Sequence, residues 1–337
     1  MKVFIKYSLQ AVLALFLSIN LAAESLGQNI PVNLGVTFRN ARLASLWIAD
    51  AEGFFKKEGV EVKIINISGG TQGAQMMVSG GVDVSFDDPI SCITATAAGV
   101  PVVDIFAGTP TLPFLIVGAP GIKSISELKG KRVGSSGLGP SASRLALLVG
   151  FKRLGLDPDK DHVTIVAAGQ EPERIAGLST GAIAATVISP EYRTRLDQLG
   201  VPLLADLRTL NIPWETASVI TTAKNMQSKR EMIERVIRAL LQANAYILNQ
   251  AHRARLVNLL ISQLALKSAQ DADAVYDDLI KFYVHKKPYP SREGILNIIS
   301  EVGKSVPKAA SLKFEDVTDA SIIGKLDKSG FIDGLYK

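Results

Sequence analysis

From residue 32 onward, short apolar runs with strand character alternate with runs whose apolar residues fall at helical spacing. No other feature of the sequence restricts the fold as much. Residues 32–36 read as a strand. Residues 44–58 carry Leu46, Trp47, Ala51, Phe54 and Phe55 on one helical stripe and stop at Gly59, and residues 60–67 resume strand character. A short helix over 72–78, a strand over 82–86, a helix opened by Asp87-Asp88-Pro89 and a strand over 102–106 follow. Strands and helices in strict turn, joined by short connections, predict a mainly parallel sheet covered by helices on both faces.

A second block of the same kind starts near Gly118. Ser124 and Glu127 have capping-box spacing, 131–135 reads as a strand, 141–154 as a helix, 162–167 as a strand, 175–179 as a helix and 183–188 as a strand. The blocks echo each other: Val78-Ser79-Gly80-Gly81-Val82-Asp83-Val84 is matched by Leu178-Ser179-Thr180-Gly181-Ala182-Ile183-Ala184. Each strand then runs into an acidic-proline cluster, Asp87-Asp88-Pro89 or Ser189-Pro190-Glu191. After one more strand at 217–221 the chain turns helical. Residues 229–249 place Ile233, Val236, Ile237, Leu240, Leu241, Ile247 and Leu248 on one stripe. With 337 residues the chain exceeds what one core usually holds. The expected organisation is a first lobe from 30–117 and 214–337, and a second from 118–213.

Residues 1–27 read as a secretory signal peptide: Lys2 and Lys6, the apolar run 8–21, then small residues, with cleavage near 23–27. The run falls short of the roughly 20 residues a membrane span needs, so the mature protein is expected in the periplasm. One cysteine excludes a disulfide framework or Cys-based metal site, and its apolar neighbours make Cys92 a core residue. Three scattered histidines offer no metal cluster. A net charge of +5, part of it in the leader, is too mild to imply a nucleic-acid partner.

Several strand-to-helix loops carry candidate ligand contacts. Gly70 and Thr71 lie in Ser68-Gly69-Gly70-Thr71, where glycines admit a ligand to backbone N–H groups; the same residues also suit an ordinary tight turn. Ser136 and Gly137 lie in Gly134-Ser135-Ser136-Gly137-Leu138-Gly139-Pro140-Ser141. Pro140 stands where a phosphate-binding loop needs Lys, and Leu138 removes the second glycine of a nucleophile elbow, which leaves a hydroxyl-rich helix start. Arg39 could fork onto a carboxylate, sulfonate or nitrate, or be a solvated loop residue; Arg42 is expected at the surface. Asp87 and Asp88 form either a carboxylate pair or a helix cap. No nucleophile–base pair can be assembled from this sequence.

The stretches Trp47-Ile48-Ala49-Asp50-Ala51-Glu52-Gly53-Phe54-Phe55-Lys56-Lys57-Glu58-Gly59-Val60, Met77 to Val84, Ala98-Gly99-Val100-Pro101-Val102 and Ile125 to Gly134 occur in an order that resembles the solute-binding proteins of ABC importers, in the nitrate, sulfonate, taurine and thiamine-precursor group. The resemblance implies an α/β fold of two lobes, of the periplasmic binding protein type II kind, with mixed, mostly parallel sheets and a ligand cleft between the lobes. The chain would cross between lobes near Val117-Gly118 and again near Pro213. It places ligand contacts at Arg39, Asn40, Gly70, Thr71, Asp87, Asp88, Ser136, Gly137, Ser189 and Glu191. The second-lobe loop departs from the family pattern: Gly137-Leu138-Gly139-Pro140-Ser141 stands where an aromatic residue or His often follows Gly-Ser, so the ligand class stays open. Pyrimidine synthases of the yeast type share the fold but use a cysteine-rich motif and an active-site histidine, against which the single Cys argues.

The expected function is therefore capture of a small polar or anionic organic solute by hinge closure. The partner would be an ABC permease in the inner membrane; the protein would act as a monomer without cofactor, metal or catalysis. A secreted enzyme on the same fold, or a ligand-sensing domain for a membrane receptor, are the alternatives.

Overall fold

The computed structural model describes residues 29–337 apart from Gly69 and the side chain of Thr71. The expected signal peptide, 1–27, lies outside the described residues. No helix among them is long and apolar enough to cross a membrane.

Two five-stranded sheets organise the chain. The first has the order β2-β1-β3-β10-β4, from β1 (Ile30–Val36), β2 (Val60–Asn66), β3 (Val84–Asp87), β4 (Val102–Phe106) and β10 (Ser218–Thr222). The second has the order β7-β6-β8-β5-β9, from β5 (Leu115–Gly118), β6 (Arg132–Ser135), β7 (Thr164–Ala167), β8 (Ala185–Ile188) and β9 (Leu203–Asp206). The two orders are the same pattern. In each sheet the central strand, β3 or β8, runs parallel to the second, β1 or β6, and antiparallel to a strand that has crossed from the other sheet, β10 or β5. The repeat at 78–84 and 178–184 marks equivalent places in the two sheets, each a helix end with a left-handed glycine, Gly80 or Gly181.

The first crossing is earlier than the sequence suggests. Val117 and Gly118 lie inside β5, paired with Thr186 and Ala185 of the second sheet. The chain leaves the first sheet beside Thr109, which bridges Thr216 on the returning strand. β5 was hidden because a strand buried on both faces shows no alternation. Gly108 sits where the two crossings touch: a Cβ there would lie 1.8 Å from the Ala217 carbonyl oxygen.

Helices cover both sheets. The helix over 44–58 is shorter than its stripe implies, α1 (Ala44–Ala51), because Gly53 turns left-handed at φ +70° and restarts the chain as one turn at Phe54–Lys57. Then come α2 (Gly70–Ser79), α3 (Pro89–Ala97), α4 (Ala142–Arg153), α5 (Glu171–Ser179), α6 (Arg230–Leu248), α7 (Arg253–Leu264) and α8 (Ala269–Asp278). The expected stripe of α6 is fully buried at Ile233, Val236, Ile237, Leu240, Leu241 and Ile247, and packs with Leu46 and Ile48 of α1 and Leu34 of β1 in one core. Each such side chain contributes about 1.5–3 kcal/mol. Tyr276 and Val275 bring α8 into the same core, so the C-terminal helices belong to the first sheet's lobe. Ser124 starts a 3-10 turn rather than an α-helix. Cys92 is fully buried, as its apolar neighbours require.

Candidate functional site

Strand ends from both sheets meet between the lobes. Just past β1, Asn40 is buried and spends its side chain as a cap: Oδ1 accepts from the Arg42 backbone N–H and from Arg42 Nε, both at 3.2 Å. This turns Arg42 inward. Its side chain is only 6% exposed, against the surface position expected from sequence. The guanidinium lies 4.7 Å from the centre of the Phe38 ring and 5.5 Å from that of Phe114, and reaches Asp88 Oδ1 at 3.4 Å. Cation–π contact and a carboxylate together offset the cost of burying the charge. Arg39 takes the opposite course. It is exposed at the cleft mouth and donates from Nη2 to the Gln263 carbonyl at 3.1 Å.

Asp88 stands at the cap position of α3 but makes no side-chain cap bond. Its Oδ1 accepts instead from Ala217 N at 3.0 Å, tying α3 to the returning strand. Asp87, 3% exposed, accepts on Oδ1 from Thr37 Oγ1 at 2.9 Å and from Asp88 N at 2.7 Å, and its Oδ2 is buried without a hydrogen-bond partner. Burial, and then the neighbouring Asp88 carboxylate, push the Asp87 pKa up to about 7. Gly70 opens α2 against this group: a Cβ there would lie 1.8 Å from Ser91 Oγ and 3.2 Å from Asp87 Oδ2. The backbone of Thr71 continues α2; its side chain is outside the described residues.

The second lobe contributes three loops. Ser136 N donates to Ser143 Oγ at 2.8 Å, and that hydroxyl donates to Ser136 Oγ at 2.9 Å, so the loop is fastened to α4. The Gly137 carbonyl accepts from Ser135 Oγ at 2.7 Å, while its Cα faces open space. Ser189 N donates to Glu171 Oε1 at 2.5 Å, and Ser189 Oγ is buried without a partner. Glu191 crosses the cleft: Oε1 accepts from Ala41 N of the first lobe at 3.1 Å. Burial, and then Glu171, push its pKa up to about 7.

Two further contacts join the lobes. Arg208 holds Asp206 with Nε at 2.9 Å and Nη2 at 2.7 Å, and meets Asp278 of α8 at 2.6 Å with Nη1. Thr194 Oγ1 donates to Asp271 Oδ1 of α8. Beside the Thr194–Asp271 contact lies a cavity of about 420 Å³. Arg39, Gln263, Lys267 and Asp271 line it from the first lobe, and Glu191, Tyr192, Thr194 and Arg195 from the second. That volume is in the range of small-molecule sites. A larger hollow of about 750 Å³ lies on the outer face of the first lobe between Lys56 and Lys325. All three of its acids are paired, Arg238 with Glu58 at 2.7 Å, Lys325 with Glu234 at 2.8 Å and Arg235 with Glu231 at 2.8 Å, while Lys56, Lys57 and Arg230 form no ion pair among the described residues; it touches none of the strand-end loops.

Of the ten residues singled out from sequence, Arg39 and Glu191 line the interlobe cavity. Asn40 and Asp88 converge on Arg42. Gly70, Asp87, Ser136, Gly137 and Ser189 fix the surrounding loops, and the side chain of Thr71 lies outside the described residues. Sequence reasoning missed Arg42, although Phe38 four residues earlier was a visible aromatic partner. It also missed Arg195 and Lys267, for which an arginine in a short helix and a lysine in the connection after Leu264 give no local signal.

Residues 40–254 match the NMT1/THI5-like family. The chain belongs to that family. This NMT1/THI5-like protein also has the fold of solved periplasmic binding proteins close to ABC substrate-binding components. It is similar to the periplasmic aliphatic sulphonate binding protein SsuA of Escherichia coli, at 18% identity and TM-score 0.68 over 87% of this chain and 92% of that one. It is similar to the periplasmic nitrate-binding protein NrtA of Synechocystis PCC 6803, at 12% identity and TM-score 0.69 over 90% and 89%. It is also 28% identical over 94 residues to the 4-amino-5-hydroxymethyl-2-methylpyrimidine phosphate synthase of Schizosaccharomyces pombe. That match spans 27% of this chain and 27% of the synthase.

Proposed function

We propose that this NMT1/THI5-like protein is the extracytoplasmic solute-binding component of an ABC importer. It captures a small polar organic molecule between its lobes, closes on it, and hands it to a permease in the inner membrane, which other subunits drive with ATP. In this reading the protein is exported to the periplasm, works as a monomer and is not an enzyme. The observation that carries the reading is the interlobe cavity. Residues of both lobes line it, and two polar contacts across the cleft, Glu191 with Ala41 and Thr194 with Asp271, involve its lining residues. A ligand bridging both walls makes contacts that exist only in the closed form, and that difference shifts the population toward closure.

The partial likeness to the synthase favours one second reading, an enzyme on the same fold. Three histidines do not converge: His252 stacks on Tyr246 at 3.7 Å, and His285 is half-buried, its pKa lowered by burial. A thermal-shift screen of the mature protein against a small-molecule library separates the readings, with mass spectrometry of each hit after incubation. Binding to the folded state raises Tm. A hit recovered intact supports capture; a hit chemically converted supports the enzyme.

A further inference from the structure

Two carboxyl groups that line no part of the cavity meet where the chain crosses between the lobes. Asp104 of β4 and Glu215 of the return crossing are fully buried and within hydrogen-bond reach of each other. Asp104 Oδ1 accepts from Phe106 N at 3.1 Å, while its Oδ2 meets no donor. Glu215 Oε1 accepts from Ser218 Oγ at 2.8 Å. Its Oε2 accepts at 2.7 Å from the N–H of Ser291, which caps α9 (Arg292–Gly303). No Lys, Arg or His meets either carboxyl among the described residues. Two bare carboxylates in contact, buried and without a cation, repel each other. One proton between them replaces the repulsion with a hydrogen bond and occupies Asp104 Oδ2. Burial raises both pKa values, and the Asp104 charge raises that of Glu215 further.

The pair sits on the hinge. Thr216, next to Glu215, exchanges both backbone hydrogen bonds with Thr109 of the first crossing, each at 2.8 Å. Ala217 follows at φ +55°, the left-handed region that a residue with a Cβ avoids. Such a conformation persists only where its surroundings over-determine it. Here Asp88 holds the Ala217 N–H, and Glu215 is tied to β4, to Ser218 and to the start of α9.

We propose that Asp104 and Glu215 are positioning residues for lobe closure, acting as a proton-operated catch: the shared proton holds the return crossing in the left-handed turn at Ala217 that accompanies the closed lobes, and its loss to solvent frees Glu215 and lets the crossing relax toward the open form. The other titratable groups around the pair bring no counter-charge. From α3 comes the Cys92 thiol, which burial and then Asp104 keep protonated; from the end of β3 come Asp87 and Asp88. Asp319, whose N–H donates to the Asp104 carbonyl at 2.8 Å, spends its Oδ1 on Ser321 N, and Arg292 of α9 pairs outward with Glu315. The inference goes beyond solute capture and does not depend on it, because the ligand-free protein tests it.

The test is small-angle X-ray scattering of the ligand-free mature protein from about pH 5 to about pH 9, with circular dichroism at each pH to establish that it is folded. The wild-type radius of gyration should rise with pH. Asp104→Asn keeps the Phe106 contact on Oδ1 and offers Glu215 a permanent N–H donor, so its radius should stay small throughout. Glu215→Gln also supplies a fixed N–H and should behave the same way, and it carries the comparison if the first variant does not fold. Asp104→Ala, which removes the contact, should have the larger radius at every pH. A wild-type radius constant with pH would overturn the assignment, as would a variant whose radius follows the wild-type rise, since Asp87 or Glu191 would then be the group responding. A variant that shifts Tm against pH and leaves the radius untouched would show a structural pair only. None of these results bears on whether the library yields a ligand bound intact, so solute capture stands or falls separately.

Discussion

Glu191 accepts the Ala41 amide at 3.1 Å across the cleft, joining residues 150 apart in sequence. Ala41 opens the short turn that Asn40 caps, and the same cap aims Arg42 into the cleft. One local structure therefore fixes both the closing contact and the buried cation beside it. The position of the second lobe is coupled to the first by side chains that also bound the cavity.

Arg208 and Asp278 form the interlobe ion pair, with side chains 11% and 25% exposed. Asp278→Asn removes the charge and leaves Arg208 on Asp206. The closed form should lose about 1 kcal/mol, since partly exposed pairs contribute modestly. Small-angle X-ray scattering should then show a larger radius of gyration for the unliganded variant, and affinity for any cleft ligand should drop about fivefold, because the competent population falls by that factor. An unchanged radius and affinity would mean that the pair does not control closure.

Arg42 should matter to stability out of proportion to an ordinary surface arginine. Arg42→Ala leaves Asp88, 15% exposed, with the Ala217 amide alone and empties the space between Phe38 and Phe114. Urea denaturation should show a loss of about 2–4 kcal/mol. Arg42→Lys keeps the charge without the planar stack and should fall between the two. A loss under 0.5 kcal/mol for the alanine variant would contradict the buried position.

Asp87 makes the folded state bind a proton more tightly than the unfolded chain does. Its folded pKa is about 7 against an ordinary 3.8. Below pH 4 both states are protonated and the residue adds no pH dependence. Between about pH 4 and 7 the unfolded chain releases the proton while the folded protein keeps it, so stability falls as pH rises; above 7 both states are ionised and the loss, on the order of a few kcal/mol, is complete. Glu191, also raised to about 7, adds to the same window. Asp87→Asn should flatten the dependence of Tm on pH between 4 and 8. Parallel curves for variant and wild type would show that Asp87 is ionised in the native protein.

Gly108 allows the two crossings to touch. Gly108→Ala places a methyl group against the backbone of Ala217, which cannot move aside as a side-chain tip can. A loss above about 3 kcal/mol is expected, the range of strong overpacking. Gly137→Ala, whose Cβ would meet nothing within 4 Å, serves as the control and should change stability by less than 0.5 kcal/mol.

Much of the first sheet was legible because its strands alternate with helices that show clear stripes and glycine stops. The long stripe of α6 and the helix start at Ser141, whose hydroxyl accepts from Arg144 N at 3.4 Å, were readable for the same reason. β5 and β9 were not. Both are four residues long, and β5 is fully buried, so neither length nor period distinguished them. The strand ends were legible as a class of position, but not the role of each side chain. Asn40, Arg42 and Asp88 satisfy one another, and that mutual arrangement depends on Phe114 and Ala217, far away in sequence. The cavity's basic mouth includes Lys267, which only the packing of α7 and α8 against the first lobe brings to the cleft.

Closure on a ligand held between the lobes is tested most directly by small-angle X-ray scattering of the mature protein, alone and saturated with the tightest intact hit from the library. The account predicts a smaller radius of gyration in the bound sample and no such change for Glu191→Gln at a concentration where the hit no longer binds it. A bound sample with the radius of the free protein, at full calorimetric saturation, would contradict it.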